Sequence, residues 1–515
     1  MRVLPDILRE AGLKHPDRLA LSDPKESVSY RSLVTECATI AHRLSGMGFT
    51  RGERAVIVLP NSVQFVRAHF SILGAGGISV PCDASITPQS FLQIVRSCEP
   101  RLIFTDGAGL LRLQSTLCKT GITWVVLPEP SAADPLLSQI ITLEVLLQDP
   151  IERFPDAPID PKSIASLMYT TGTTGQPKGV QLTHENVLAA LRNIGNFIGY
   201  SADDREVVVL PLSHNFGLGH VYCNLMHGGA VYTEGGLARP GRVLKSLASL
   251  GATGFPGTPL GYGMLMDNFG PALAECGRQL RFIVINSAPL PPERTVQLQR
   301  LLPRADIMVY YGLTEASRST FISLSRCGQK YFQSVGRPMN GINIQIKNEH
   351  GANLPPKHVG EVTISGPTVS RGYWRNHQET QKNFRNGRLH TGDLGYLDED
   401  GFLFITGRLK DAINVGGYKV NPSEVEEVIR RFAGVADVGV VGLDSFEGLT
   451  GEMIVAALVA ESGCLVDLQS IERQCLKHLE KFKVPSRFLM VEQIPRTDTG
   501  KLKRRELAEQ LAKQF

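Results

Sequence analysis

Met168-Tyr-Thr-Thr-Gly-Thr-Thr-Gly-Gln-Pro-Lys-Gly-Val180 sets four threonines, three glycines and one lysine between Thr170 and Gly179. Hydroxyls and glycine amides donate hydrogen bonds, and glycine lets the backbone approach a ligand closely. Lys178 adds a compact positive charge. The combination predicts a flexible loop that closes over a polyanion such as a nucleotide triphosphate; a Ser/Thr/Gly-rich surface turn shares the composition. A Walker loop is excluded. Counted from Gly172, the second glycine of that pattern falls on Pro177, and Gly179 stands where Ser or Thr should follow the lysine.

The flanks show how the loop is carried. Residues 164–169 lead in as an apolar run of strand length and residues 180–182 leave as a second strand, so the loop reads as a hairpin-like connection. Upstream, residues 30–44 place Leu33, Cys37, Ile40, Ala41 and Leu44 at helical spacing, and 61–73 and 88–97 also read as helices. Short, continuously apolar runs at 55–59, 77–80, 102–105 and 124–127 alternate with them. Downstream, a helix from Thr183 carries Val187, Leu191 and Ile194 on one face, and strands follow at 207–210, 230–232, 282–285 and 308–310. This alternation predicts α/β subdomains around largely parallel sheets.

Beyond about Ser334 the pattern changes to short strands and turns at 342–347, 360–365 and 401–406, a smaller β-rich unit. Residues 408–411 form a charged linker. The remainder reads as an independent small α+β domain, giving expected domains at 1–409 and 410–515. In the second, Ser423-Glu-Val-Glu426 is expected to form a capping box, opening a helix with Val425, Val428, Ile429 and Phe432 inward.

At 515 residues the chain is too long for one core. A net charge of +4 gives no reason to expect nucleic acid or an anionic membrane as the main partner. Nine cysteines, with no Cys-x-x-Cys pair, argue against a metal cluster or disulfide framework and for reduced thiols. Asp6, Arg9 and Glu10 precede any long apolar run, and no run approaches a membrane span. A soluble cytoplasmic enzyme is the expectation.

Further motifs carry chemistry. Tyr310-Tyr-Gly-Leu-Thr-Glu315 follows a predicted strand, at the end where α/β sheets place ligands. Glu315 suits Mg²⁺, Thr314 a phosphate and Tyr311 a purine face; a strand-to-helix turn with a capping acid fits the same residues. His390-Thr-Gly-Asp393 sets a carboxylate after a glycine turn, suited to both hydroxyls of a ribose or to an ordinary surface turn. Gly407-Arg-Leu-Lys-Asp411 ends the large region. In Pro495-Arg-Thr-Asp-Thr-Gly-Lys501 the lysine follows a glycine turn and opens a basic run that otherwise reads as a solvated face.

In this order and context the motifs resemble the adenylate-forming superfamily: acyl- and aryl-CoA synthetases, the adenylation domains of nonribosomal peptide synthetases, and beetle luciferases. The resemblance spans residues 30–507. It implies activation of a carboxylic acid by ATP and Mg²⁺ to an acyl-adenylate with loss of pyrophosphate. Transfer follows to a thiol, that of coenzyme A or of the phosphopantetheine arm of a carrier protein acting in trans. By matching positions, Thr170, Thr171, Gly172, Thr173, Thr174, Gly175 and Lys178 would hold the β- and γ-phosphates. Tyr311 and Gly312 would bound the adenine pocket with Ser287, Ala288 and Pro289, although Asn286-Ser287-Ala288 departs from the family's usual Gly-Gly-Ala or Gly-Ala. Thr314 would touch the α-phosphate, Glu315 would hold Mg²⁺, and Asp393 and Arg408 would bind the ribose.

Lys501 matches the lysine that bridges the substrate carboxylate and the α-phosphate. Lys410 matches the hinge about which the C-terminal domain turns, bringing Gly416, Gly417 and Lys419 into the site for the thiol step. His214, Asn215, Phe216 and Asn286 fall on the acid pocket. Amino-acid-activating relatives carry an Asp beside this point, where this sequence has Asn215. A neutral amide would leave a buried ammonium uncompensated, so an aryl or aliphatic acid without an α-amino group is expected.

Overall fold

Strand Arg54–Val58 sends Ala55 and Ile57 into one core and Val56 and Val58 into another. Phe282–Ile285 does the same, with Phe282 and Val284 on one side and Ile283 and Ile285 on the other. Helices cover both faces, which is why these strands are unbroken apolar runs. In the computed structural model, residues 1–514 are described apart from 128–139, 157, 172–176, 287–289, 416–417, 445–451, 465 and 498–499; for Trp124, Leu127, Thr171, Tyr418, Lys419 and Asp444 only the backbone is.

The first strand lies in a seven-stranded sheet that is parallel up to its last pair, the antiparallel Ile164–Thr171 and Pro177–Thr183. The second lies in a nine-stranded sheet, parallel through its centre and antiparallel at both edges. Helices Tyr30–Gly46, Val63–Gly74, His184–Ile198 and Asn215–His227 join the two sheets in one shared core. A five-stranded antiparallel sheet closes around Ile344, Ile346, Val362 and Ile364. From Ile413 onward the chain builds cores of its own, around a three-stranded sheet and helices Pro422–Arg430, Leu468–His478 and Arg504–Ala512. The architecture is the expected mixed α/β one, a large N-terminal part followed by a smaller C-terminal one.

One local expectation and one alternative reading fail. The Ser423–Glu426 capping box does not form: Asn421 is the N-cap, accepting from Ser423 N at 3.1 Å, and Pro422 takes the first turn. Glu426 is drawn inward instead, accepting from Val440 N at 2.8 Å and from Arg504 Nη2 at 3.0 Å. Nor does Tyr310–Glu315 lead into a helix. Asp306–Leu313 pairs antiparallel with Ala316–Ser323, leaving Thr314 and Glu315 at the hairpin tip. The β-branched and aromatic residues Thr320, Phe321 and Ile322 suit that extended pairing.

Candidate active site

Thr170 faces Lys178 and Thr171 faces Pro177 across the antiparallel pair, so the predicted phosphate loop does connect two strands of a hairpin. Gly172, Thr173, Thr174 and Gly175 lie outside the described residues. The segment 371–374 runs alongside. Gln181 N–H donates to the Gly372 carbonyl at 3.0 Å, and Trp374 N–H to that of Gly179 at 2.7 Å. It carries Tyr373 to Lys178, whose ammonium lies 5.5 Å from the ring centroid and ion-pairs with Glu379. That hydrogen bond chiefly holds the Glu379 carboxyl below the ordinary range. The motif reading misses both Tyr373 and Glu379; the available signal was the aromatic pair after Gly372, which sits at φ +109°.

Tyr373 also reaches the other motif, its hydroxyl donating to Glu315 Oε1 at 2.8 Å. The Glu315 carbonyl accepts from Ser370 N at 2.8 Å. One tyrosine thus ties the hairpin carrying Lys178 to the hairpin tip carrying Thr314 and Glu315. Asp393 stands directly across from Arg408 in their antiparallel pair. Arg408 Nε meets Oδ1 at 2.8 Å, and Tyr311 donates to Oδ2 at 2.6 Å. Asp393 is 3% exposed. Burial pushes its pKa up, and Arg408 and the Tyr311 hydroxyl pull against that. Ser287, Ala288 and Pro289 lie outside the described residues.

Lys501 is delivered by a braced turn. Arg496 grips Asp437 through Nε–Oδ2 at 2.9 Å and Nη2–Oδ1 at 2.6 Å, and donates to the Gly500 carbonyl at 2.9 Å. Thr497 N donates to the Lys501 carbonyl at 2.8 Å, and Lys501 N returns a bond to Thr497 Oγ1 at 3.1 Å. Gly500, at φ +83°, packs against Leu260 of the large N-terminal part. A side chain there would be strained and would press on Leu260. Desolvation lowers the Lys501 pKa, the charge of Arg408 lowers it further, and Asp393 opposes both. His214 is lowered first by desolvation and also by Lys501, against Asp83. Lys501 therefore lies within charge–charge range of Arg408, Asp393 and His214.

The expected hinge and thiol-step positions fall around the start of the C-terminal part. Lys410 is exposed in the turn Leu409–Asp411. Gly416 and Gly417 fall outside the described residues, and the backbone of Lys419 pairs with Asn414 in a hairpin anchored to the C-terminal core by Ile413 and Val420.

Of the residues expected in the acid pocket, His214, Asn215 and Phe216 stand at the start of helix Asn215–His227, where His214 is the N-cap residue, and Asn286 follows strand Phe282–Ile285. Phe216 meets Tyr310 edge-on at 5.4 Å, and Asn286 lies near enough to the Tyr310 hydroxyl to oppose the rise that burial gives its pKa. Asn215, Tyr222, Arg318 and Thr368 line a narrow cleft. Arg318 is absent from the motif reading. Gly312 is explained by it: a Cβ at Gly312 would collide with the Arg318 backbone nitrogen.

The family profile for AMP-binding enzymes matches residues 8–374, and that for the AMP-binding enzyme C-terminal domain matches residues 424–501. The chain belongs to the AMP-binding enzyme family. The oxalate–CoA ligase of Arabidopsis thaliana is 30% identical over 98% of this chain and 98% of its own length. The long-chain-fatty-acid–CoA ligase of Bacillus subtilis is 30% identical over 99% of this chain and 94% of its own. Among solved structures, ATP-bound MatB from Rhodopseudomonas palustris superposes with a TM-score of 0.88 at 26% identity, covering 98% of each chain. As a member of this family the chain is an AMP-forming acid–thiol ligase that uses ATP. No helix among the described residues is long and apolar enough to cross a membrane.

Proposed function

We propose that this ligase adenylates a small carboxylic acid lacking an α-amino group and passes it to coenzyme A. The observation that carries the reading is that the Gly500 turn approaches Leu260 of the large N-terminal part, which puts Lys501 within charge–charge range of the Asp393–Arg408 pair and His214. In it, Lys178 and the Thr170–Gly175 loop hold the β- and γ-phosphates, while Asp393 and Arg408 accept the ribose. Attack of a carboxylate on the α-phosphate brings like charges together, and a fixed ammonium is worth most as that charge concentrates. Lys501 supplies it. Thr314 contacts the α-phosphate.

A magnesium ion would be held by Glu315, and the donor set fits: one carboxylate oxygen already takes the Tyr373 hydroxyl, and Mg²⁺ needs few protein oxygens beside substrate phosphates. Bound there, it would offset phosphate charge. After adenylation the domain from residue 410 turns about Lys410, withdrawing Lys501 and presenting Gly416, Gly417 and Lys419 to the thiol. The alternative acceptor is a carrier protein's phosphopantetheine; the CoA-ligase names of both relatives favour coenzyme A. Reduced cysteines suit a cytoplasmic setting.

ATP–pyrophosphate exchange with a panel of acids tests the first half-reaction, and product formation with coenzyme A or a pantetheinylated carrier tests the second. Turnover that ignored coenzyme A and required a carrier would overturn the acceptor assignment.

A further inference from the structure

Arg318 is 3% exposed and adopts φ +54°, in the left-handed region that non-glycine residues seldom occupy. Two glycines make room for it. Gly312 admits its backbone, and a Cβ on Gly219 would collide with its guanidinium. The guanidinium lies 5.4 Å from the Tyr310 ring centroid. Its partners among the described residues are neutral: Ser317 Oγ at 3.0 Å and the carbonyls of Asn215 at 3.0 Å and Phe216 at 3.2 Å. The nearby buried carboxylate, Glu206, is engaged by His220 at 2.8 Å, Tyr200 at 3.2 Å and Asn224.

A buried guanidinium whose direct partners are all neutral is only partly compensated by a carboxylate that does not touch it, so much of its desolvation is not repaid. Three side-chain atoms on this cleft have no hydrogen-bond partner among the described residues: Arg318 Nε, Asn215 Nδ2 and Thr368 Oγ1. All three can donate, and Thr368 is 1% exposed. A cation with two neutral donors around a small cleft is a receptor for an oxyanion. A hydrocarbon tail would leave all three unmatched.

Resting on the acid–thiol ligase reading, we infer that Arg318, with Asn215 and Thr368, selects an acid whose far end carries a second anionic oxygen group, a carboxylate or a sulfonate. The reacting carboxylate faces Lys501 and the distal anion faces Arg318. Arg318 is thus a specificity-determining residue of the acid pocket.

The test is ATP–pyrophosphate exchange by the full-length chain. Butanoate, hexanoate and benzoate serve as acids with neutral tails, and succinate, glutarate and 3-sulfopropanoate as acids with anionic ones. The expected result is a preference in kcat/KM for anionic tails on the order of 10²-fold, the succinate and sulfopropanoate arms showing which anion is preferred. In Arg318→Met, which keeps volume and removes charge, that preference should collapse, while Arg318→Lys should retain part of it. Wild-type preference for neutral tails, or an unchanged ratio in Arg318→Met, would overturn the assignment; if the variants fail to fold, the wild-type panel still decides. Exchange with neutral tails alone sinks only this inference, whereas exchange with no acid sinks the ligase reading with it.

Discussion

The Tyr311 hydroxyl donates to Asp393 Oδ2 at 2.6 Å, joining the nine-stranded sheet's hairpin to strand Arg388–Leu397 of the five-stranded sheet. The tyrosine proposed to meet adenine therefore also orients the carboxylate proposed to meet ribose. Tyr311→Phe keeps the ring and leaves buried Asp393 with Arg408. We expect a loss of about 1–2 kcal/mol of stability, read as a lower Tm, together with a raised KM for ATP. An unchanged Tm would show that the bond contributes nothing net.

Lys501→Ala should lower acid-dependent pyrophosphate exchange by ~10²–10³-fold and spare thioester formation from a supplied acyl-adenylate. Equal loss in both steps would refute a role confined to adenylation. The pH dependence has a definite sign. A lysine is cationic below its pKa, and burial and Arg408 lower that of Lys501 from 10.5. The cation is thus present at neutral pH and lost as pH rises through the depressed value, so adenylation should decline before the ordinary lysine range. Lys501→Arg, which stays charged, should abolish that alkaline limb in the activity it retains.

Lys178 is shared between Glu379 and the Tyr373 ring. Lys178→Ala should raise the KM for ATP roughly tenfold, as loss of a charge-assisted phosphate contact implies, and barely affect the supplied adenylate. Glu379→Gln should act in the opposite direction, lowering the KM for ATP by roughly threefold because the ammonium is released from a competing carboxylate. Titration of ATP against steady-state rate checks both, and a raised KM in Glu379→Gln would mean that Glu379 positions the lysine.

Glu426 binds Val440 N and Arg504, and Arg504 follows Lys501 by three positions. Glu426→Ala leaves a largely buried guanidinium with Asp411, at 3.5 Å, as its remaining ion pair and leaves Val440 N without its acceptor. A loss of about 1–3 kcal/mol in the C-terminal part is expected, visible as an earlier melting transition. Exchange activity should fall with it, because the turn holding Lys501 loses its neighbouring anchor. A variant that melts like wild type would show that Arg496 and Asp437 hold the turn without help.

Much of the layout was legible because it follows from local pattern. Strands 102–105, 282–285 and 360–365 coincide with observed elements, since each is an apolar or alternating run bounded by turn residues. The failed Walker count correctly pointed to a strand-to-strand loop. Ser423–Glu426 matched a capping box in spacing, yet the pull of Arg504 and Val440 on Glu426 outweighed the local cap. Tyr373 and Glu379 lie about two hundred residues from Lys178, and no periodicity links them.

By itself the sequence determined what local pattern can hold: the hairpin that carries Lys178, the Glu315 and Asp393 motifs, the glycine turn before Lys501 and the α/β alternation. These depend on neighbours a few positions apart, whose spacing is visible in one dimension. The tertiary structure alone decided that Lys501 comes within charge–charge range of Arg408 and Asp393, and that Arg318 is buried among neutral partners under Gly219. Desolvation and charge pairing are set by distance in space, and the chain brings Gly219 and Arg318 together only when its sheets close on a common core.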